Sequence, residues 1–315
     1  MELSVLLGIP ERFLVTLFVV AAVSSAGACG PRCLDGKERS GSYCCWPGQN
    51  WSAERETCVG TPKCPRGTER RAGGCLGPTP SCPAGMVGVG ATSFYVGSHR
   101  GEKEARGARP VYEARLPGFC IDRTEVTVAE YKKCVEAGMC SAPGFGEPDD
   151  PTWIDKACNQ LLPDRMSHPA NCVDWKQAND FCRWAGKRLP NEEEWQLAAG
   201  RMDGREFAWG DAPPAPDKAN LRGADGEVDR PLYLAKDGWE WTAPVGSFPA
   251  DKGPFGTVDM GGNVSEWTSL QEKNTFVRIA GGNYNRPDQL RERATVSASS
   301  TWPMLGVRCA RQSAP

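Results

Sequence analysis

The segment D-M-G-G-N-V-S-E-W-T-S at 259–269 sets Asp259 and Glu266 seven positions apart, with two glycines and an Asn between them. Two kinds of chemistry suit that spacing. Carboxylates beside glycines, which let the backbone turn freely, could belong to a loop built to hold something. Alternatively, Asp and Asn bond their own backbone in an ordinary turn that runs into a strand. Other chemistries lack material. The only two histidines are His99 and His168. That count argues against His-rich zinc or iron sites and leaves little for a Ser/His/Asp triad. A net charge of -2 and a pI near 5.9 provide no basic footprint, so no nucleic-acid partner is expected.

The chain has 315 residues and 15 cysteines. Residues 1–28 read as an export signal. Arg12 precedes the short apolar run F-L-V-T-L-F-V-V-A-A-V-S-S-A-G-A, which ends in a small-x-small cleavage pattern. The run is shorter than the ~18 residues needed to span a bilayer. Cys29 follows the cleavage site and is a candidate for lipid attachment, although A-G-A-C lacks the usual upstream Leu. Residues 29–82 form a cysteine-rich stretch with Cys29, Cys33, Cys44, Cys45, Cys58, Cys64, Cys75 and Cys82. Its few large aliphatics cannot bury much core, so it needs covalent staples. C-x2-G-x7-C occurs at 33–44 and 64–75, and Cys82 begins it again. A stapled spacer is the expectation here, with a small adhesion module as the alternative. On the oxidising side of a membrane, disulfides are favoured over zinc thiolates. Two sequons, at Asn50 and Asn263, matter only where the host glycosylates exported chains.

The elements that must position the 259–269 loop are partly legible. Three helices carry both a start and a stop. Thr127 and Glu130 make a capping box ahead of a helix stopping at Gly138. Asp174 caps a helix ending at Gly186, with Trp175, Ala178, Phe181, Cys182 and Ala185 on one apolar stripe. Asn191 and Glu194 open a third, closed by Gly200. Beyond it, short apolar runs between Gly, Pro and Asp read as short strands and long loops. The expected class is α+β with much irregular structure.

Seven segments in order carry a resemblance. They are M-V-G-V-G-A-T-S-F-Y-V-G-S (86–98), F-C-I-D-R-T-E-V-T-V-A-E-Y (119–131), the 168–201 stretch containing G-K-R-L-P-N-E-E-E-W, F-A-W-G-D (207–211), 237–267 with G-G-N-V-S-E-W, R-I-A-G-G-N-Y (278–284) and L-G-V-R-C-A (305–310). Over about 84–312 the chain resembles the formylglycine-generating enzyme, or sulfatase-modifying factor, family. The resemblance implies an elaborated C-type-lectin-like domain. It implies up to two calcium ions: one at Asp259 and Glu266 with the carbonyls of Gly262 and Val264, another at Asn220, Asp237 and the carbonyls of Leu221 and Trp239. It also implies a Cys182–Cys309 disulfide, which closes a loop worth on the order of 4 kcal/mol of unfolded-chain entropy. Cys134, Cys140, Cys158 and Cys172 would supply two more bridges of open connectivity. Cys120 is left as a buried thiol, or pairs into the N-terminal module if Cys29 carries lipid.

The family's enzymes oxidise a substrate cysteine with O2 through two active-site Cys that bind copper(I). Here those positions fall on Arg286 and Arg291, and no Cys lies between Cys182 and Cys309. Asn283 stands where the family has Ser, and Ser265 where it has Trp. A guanidinium stays protonated and is no copper ligand, so copper is not expected. The chain therefore reads as a calcium-binding relative without oxidase activity, exported to the cell envelope, periplasm or medium. It would bind a protein, peptide or glycan there and touch the membrane only through a lipid on Cys29. The rivals are a working oxidase and a lectin-like adhesion protein. Arg286 and Arg291 could fork a carboxylate or phosphate, or serve as plain solvated loop charges.

Overall fold

Cys33, Cys45, Cys64 and Cys82 each begin a copy of one structural unit. Three residues after each stands a glycine in the left-handed region, at φ +79°, +87°, +81° and +83° for Gly36, Gly48, Gly67 and Gly85. A strand follows, and a disulfide ties the unit off: Cys33–Cys44, Cys45–Cys58, Cys64–Cys75 and Cys82–Cys120. In every copy the second Cys sits across from the residue six positions after the first: Arg39, Trp51, Arg70 and Gly88. Three copies are hairpins: β1 Glu38–Ser40 with β2 Tyr43–Cys45, β3 Gln49–Ser52 with β4 Thr57–Gly60, and β5 Glu69–Arg71 with β6 Gly74–Leu76. The fourth copy takes its second strand from further along the chain, as β7 Met86–Val89 pairs with β10 Phe119–Asp122. Of the two fates open to Cys120, the structure adopts the disulfide. Cys29 lies outside the described residues.

This computed structural model describes residues 33–97, 111–143, 157–221, 237–269, 275–285 and 294–313. Residues 33–82 do not stand apart as a spacer: 33–315 form one compact unit. Tyr43 stacks on Trp51 at 3.5 Å, and Tyr95 meets both rings edge-on at 5.4 and 5.0 Å. Arg201 is fully buried and donates to the carbonyls of Arg55 and Glu56 at 3.4 Å each, and of Gly97 at 3.3 Å. The buried Lys37 pairs with Glu113 at 2.6 Å. A stapled segment short of its own apolar side chains gains burial by docking on an aromatic face.

The remaining strands are β8 Thr92–Val96, β9 Tyr112–Leu116, β11 Ser265–Trp267, β12 Phe276–Ala280, β13 Ala294–Ser297, β14 Leu305–Gly306 and β15 Ala310–Gln312. They form the β8–β9 hairpin, a three-stranded sheet ordered β15-β10-β7 and a four-stranded sheet ordered β13-β12-β11-β14. Beside them lie α1 Val128–Glu136, α2 Trp175–Trp184 and α3 Glu192–Ala199, each opened by a capping box on the expected N-cap residue. Ala178, Phe181 and Cys182 of α2 are buried, and Trp175 lends its indole N–H to the Thr268 carbonyl at 2.9 Å. Three further disulfides, Cys134–Cys140, Cys158–Cys172 and Cys182–Cys309, complete seven. So many disulfides suit an extracellular or otherwise oxidising compartment. Among the described residues no helix is long and apolar enough to cross a membrane. The fold is α+β, as expected.

Candidate functional site

Strand β11 and the loop before it bring Asp259–Glu266 into the interior. Asp259 and Asn263 hold φ of +57° and +63°. A Cβ on Gly262 would lie 2.6 Å from the Asn220 carbonyl, so only glycine allows that approach. Asn263 locks two segments together. Its Oδ1 accepts from Ala243 N at 2.9 Å and Asn220 Nδ2 at 3.1 Å, and its own N–H donates to the Asn220 carbonyl at 3.1 Å. At 2 % exposure its sequon is closed to modification, whereas Asn50 is exposed.

Glu266 is fully buried, and both its oxygens already meet donors. Arg308 Nε lies at 2.9 and 2.8 Å, Arg308 Nη2 at 2.7 Å and Trp195 Nε1 at 2.6 Å. The same guanidinium donates to the carbonyls of Asp122 at 3.0 Å and Val258 at 2.9 Å. Three more buried carboxylates share its field. Asp259 Oδ2 accepts from Gly246 N at 2.5 Å, and Asp251 accepts from Gly261 N at 2.9 Å through both oxygens. Glu125, 1 % exposed, has no N–H donor on either oxygen and faces Asp259.

Four carboxylates around one guanidinium leave an excess of buried negative charge. Burial, then the Asp259 charge, pushes Asp251 up to about 8 and holds Glu125 well above the usual carboxylate range. Burial likewise raises Asp259 and Glu266. Burial works against the Arg308 cation, but Glu266, Glu125 and Asp259 outweigh it and raise its pKa. Protons shared between carboxylates, or a bound cation, would settle that excess.

The second predicted set converges across the same junction. Asp237 accepts from Leu221 N at 2.8 Å and Trp239 N at 2.9 Å. Asn220 Nδ2 also donates to the Trp241 carbonyl at 2.9 Å, while its buried Oδ1 meets no donor. An orphaned amide oxygen beside a carboxylate and two carbonyl-bearing residues suits a hard cation. Among the described residues no three His, Cys, Asp or Glu side chains form a ready ligand group. Carbonyl and amide oxygens would have to supply much of any coordination.

Of the predicted pocket positions, Ser265 and Asn283 are described, and they bond each other. Ser265 Oγ donates to the Gly281 carbonyl at 2.9 Å, and Asn283 Nδ2 donates to Ser265 Oγ at 3.0 Å. Asn283 Oδ1 accepts from Asn285 N at 3.0 Å, so both buried side chains have their polar atoms met. Arg286 and Arg291 lie outside the described residues. Sequence reasoning missed Glu125, Asp251 and Arg308. The available signal was a charged residue inside apolar L-G-V-R-C-A, which a buried ion pair explains.

Residues 76–313 match the sulfatase-modifying factor enzyme 1-like domain. The chain belongs to this family. It is 32 % identical over 290 residues to the formylglycine-generating enzyme of Streptomyces coelicolor, covering 73 % of this chain and 90 % of that protein. It is also 32 % identical over 160 residues to the bovine inactive C-alpha-formylglycine-generating enzyme 2, covering 47 % of this chain and 51 % of that one. Among solved structures, PvdO from Pseudomonas aeruginosa superposes with a TM-score of 0.55 at 25 % identity, covering 72 % of this chain and 94 % of PvdO. Within this sulfatase-modifying factor domain, the 168–201 segment carries α2 and α3, and the 119–131, 237–267 and 305–310 segments supply the carboxylate cluster and Arg308.

Proposed function

We propose that this sulfatase-modifying factor domain is exported, holds calcium, lacks the cysteine-oxidase reaction and serves as a binding scaffold at the cell envelope. One observation carries the loss of chemistry: every described cysteine is half of a disulfide. Copper(I) needs soft thiolates, and the aligned positions hold Arg286 and Arg291. The other two changed positions, Asn283 and Ser265, hydrogen-bond each other. A similar bovine protein is itself named inactive.

Calcium would be held by the Asn220 amide oxygen, Asp237 and the Leu221 and Trp239 carbonyls. A second ion would take Asp259 with the Gly262 and Val264 carbonyls, and Glu125 is better placed than the Arg308-bound Glu266 to add a carboxylate. Bound calcium would supply positive charge to a buried region rich in oxygen donors. The chain's own residues then fix the loops: Asn263 ties 220 to 263, and Arg308, between β14 and β15, ties that segment to Glu266 of β11. The leader read in the sequence and the seven disulfides support export. The ligand would be a protein, peptide or glycan of the envelope.

Elemental analysis of the purified chain, with a copper(I) titration, tests the reading. Calcium without stoichiometric copper is expected. Tight one-to-one copper, or formylglycine formed on a Cys-x-Pro-x-Arg peptide with O2, would overturn it.

A further inference from the structure

Many surface cations here have a partner. Arg55 meets Asp211 at 3.0 Å, Arg115 meets Asp35 at 3.1 Å, Arg188 meets Glu194 at 2.6 Å and Arg205 meets Asp203 at 2.5 Å. The third stapled unit differs. Lys63, Arg66, Arg70 and Arg71 fall within nine residues and face a single acid, Glu69, and all five side chains are exposed. Among the described residues Lys63, Arg66 and Arg70 make no ion pair, and Arg71 lies over the Phe255 ring at 5.1 Å. Residues 33–82 hold seven Lys and Arg against five Asp and Glu, although the whole chain is net negative at -2. Solvated charge is the usual state of such side chains. Among the described residues, the clustering of unpaired cations in one stapled unit is what stands out.

We infer that the Cys64–Cys75 hairpin is an electrostatic contact for an anionic lipid surface. The inference rests on the export reading proposed above. Three features select lipid as the partner. In sequence, only Gly30, Pro31 and Arg32 separate Cys29, the candidate for lipid attachment, from the first stapled unit. The units that follow are disulfide-closed and docked on the domain, so the cations are presented with little backbone freedom left to lose. The charges fall within one small hairpin, so their fields add over roughly the 10 Å screening length at moderate salt. A cation near an anionic membrane contributes about fivefold in binding, or about 1 kcal/mol, so three contribute about 100-fold.

The test uses the exported chain with Cys29→Ser, which cannot be acylated, sedimented with phosphatidylcholine vesicles with or without roughly one-third phosphatidylglycerol. Binding is expected only with the anionic lipid, and is lost when salt rises from about 0.1 M to about 0.5 M. The K63Q/R66Q/R70Q triple variant should bind about 100-fold more weakly while melting like its parent. K132Q/K133Q on α1 should change nothing. Equal binding by the triple variant, no binding to anionic vesicles, or binding to a soluble sulfated polysaccharide without vesicle binding would each overturn the inference. None of those results touches the copper-free reading, which rests on the paired thiols.

Discussion

Replacing Arg308 by Leu should unfold the carboxylate cluster from its centre. The guanidinium supplies three close contacts to Glu266 and three to main-chain carbonyls, all at zero exposure. Removing one partner of a buried pair costs about 3–5 kcal/mol, and orphaned carbonyls add about 1 kcal/mol or more each. A loss of about 5 kcal/mol corresponds to a melting-point drop of roughly 10–20 °C at this chain size. Glu266→Gln leaves Arg308 facing Glu125 and Asp259, so it should lose only about 1–2 kcal/mol and remain measurable if the first variant does not fold. The pH dependence sharpens the test. These carboxylates have folded pKa values above their unfolded ones, so the native state holds extra protons between about pH 4 and the folded values, about 8 for Asp251. Stability without calcium must therefore fall as pH rises through that window, and more steeply without Arg308. Calorimetry in chelator at about pH 5 and pH 8 reads both effects. Melting of Arg308→Leu within about 2 °C of the parent at pH 8 would refute the account of what holds the cluster together.

Three further outcomes are expected. His168, buried against Thr242 Oγ1 at 3.0 Å, is held down at about 4 by burial and then by Arg165. Its unfolded form gains a proton that the folded form refuses, so about 1–2 kcal/mol of stability should vanish as pH falls from about 6.5 to 4, and His168→Asn should flatten that slope in urea titrations. The C182A/C309A pair should lose about 4–5 kcal/mol by opening a loop of 127-residue separation, read as an earlier denaturation midpoint. Asn220→Ala should remove one equivalent of calcium by elemental analysis and break the tie to Asn263 at 3.1 Å, whereas an unchanged calcium content would remove Asn220 from the ligand set.

What the residues by themselves determined is local or compositional. The capping boxes at Thr127 and Asn191 and the cap at Asp174 were legible because each rests on near neighbours in sequence, whereas Gln177 closing the Asp174 box was not anticipated. The lost thiols were legible because no Cys occurs between 182 and 309. Disulfide-rich character and the α+β class followed from composition and short periodicities. The unit at 45–58 escaped notice because its closing Cys lies two residues further on. The start of the fourth copy was legible at Cys82, but its closing Cys120 was not, because that partner is 38 positions away on β10. Only the tertiary structure docked residues 33–82 on the domain, since that contact depends on side chains such as Arg201 and Tyr95. Only it gave Glu266 to Arg308 and gathered Glu125, Asp251 and Asp259 around them. Buried charge is balanced across space, and the groups that balance it here are up to 183 positions apart, beyond the reach of any local pattern.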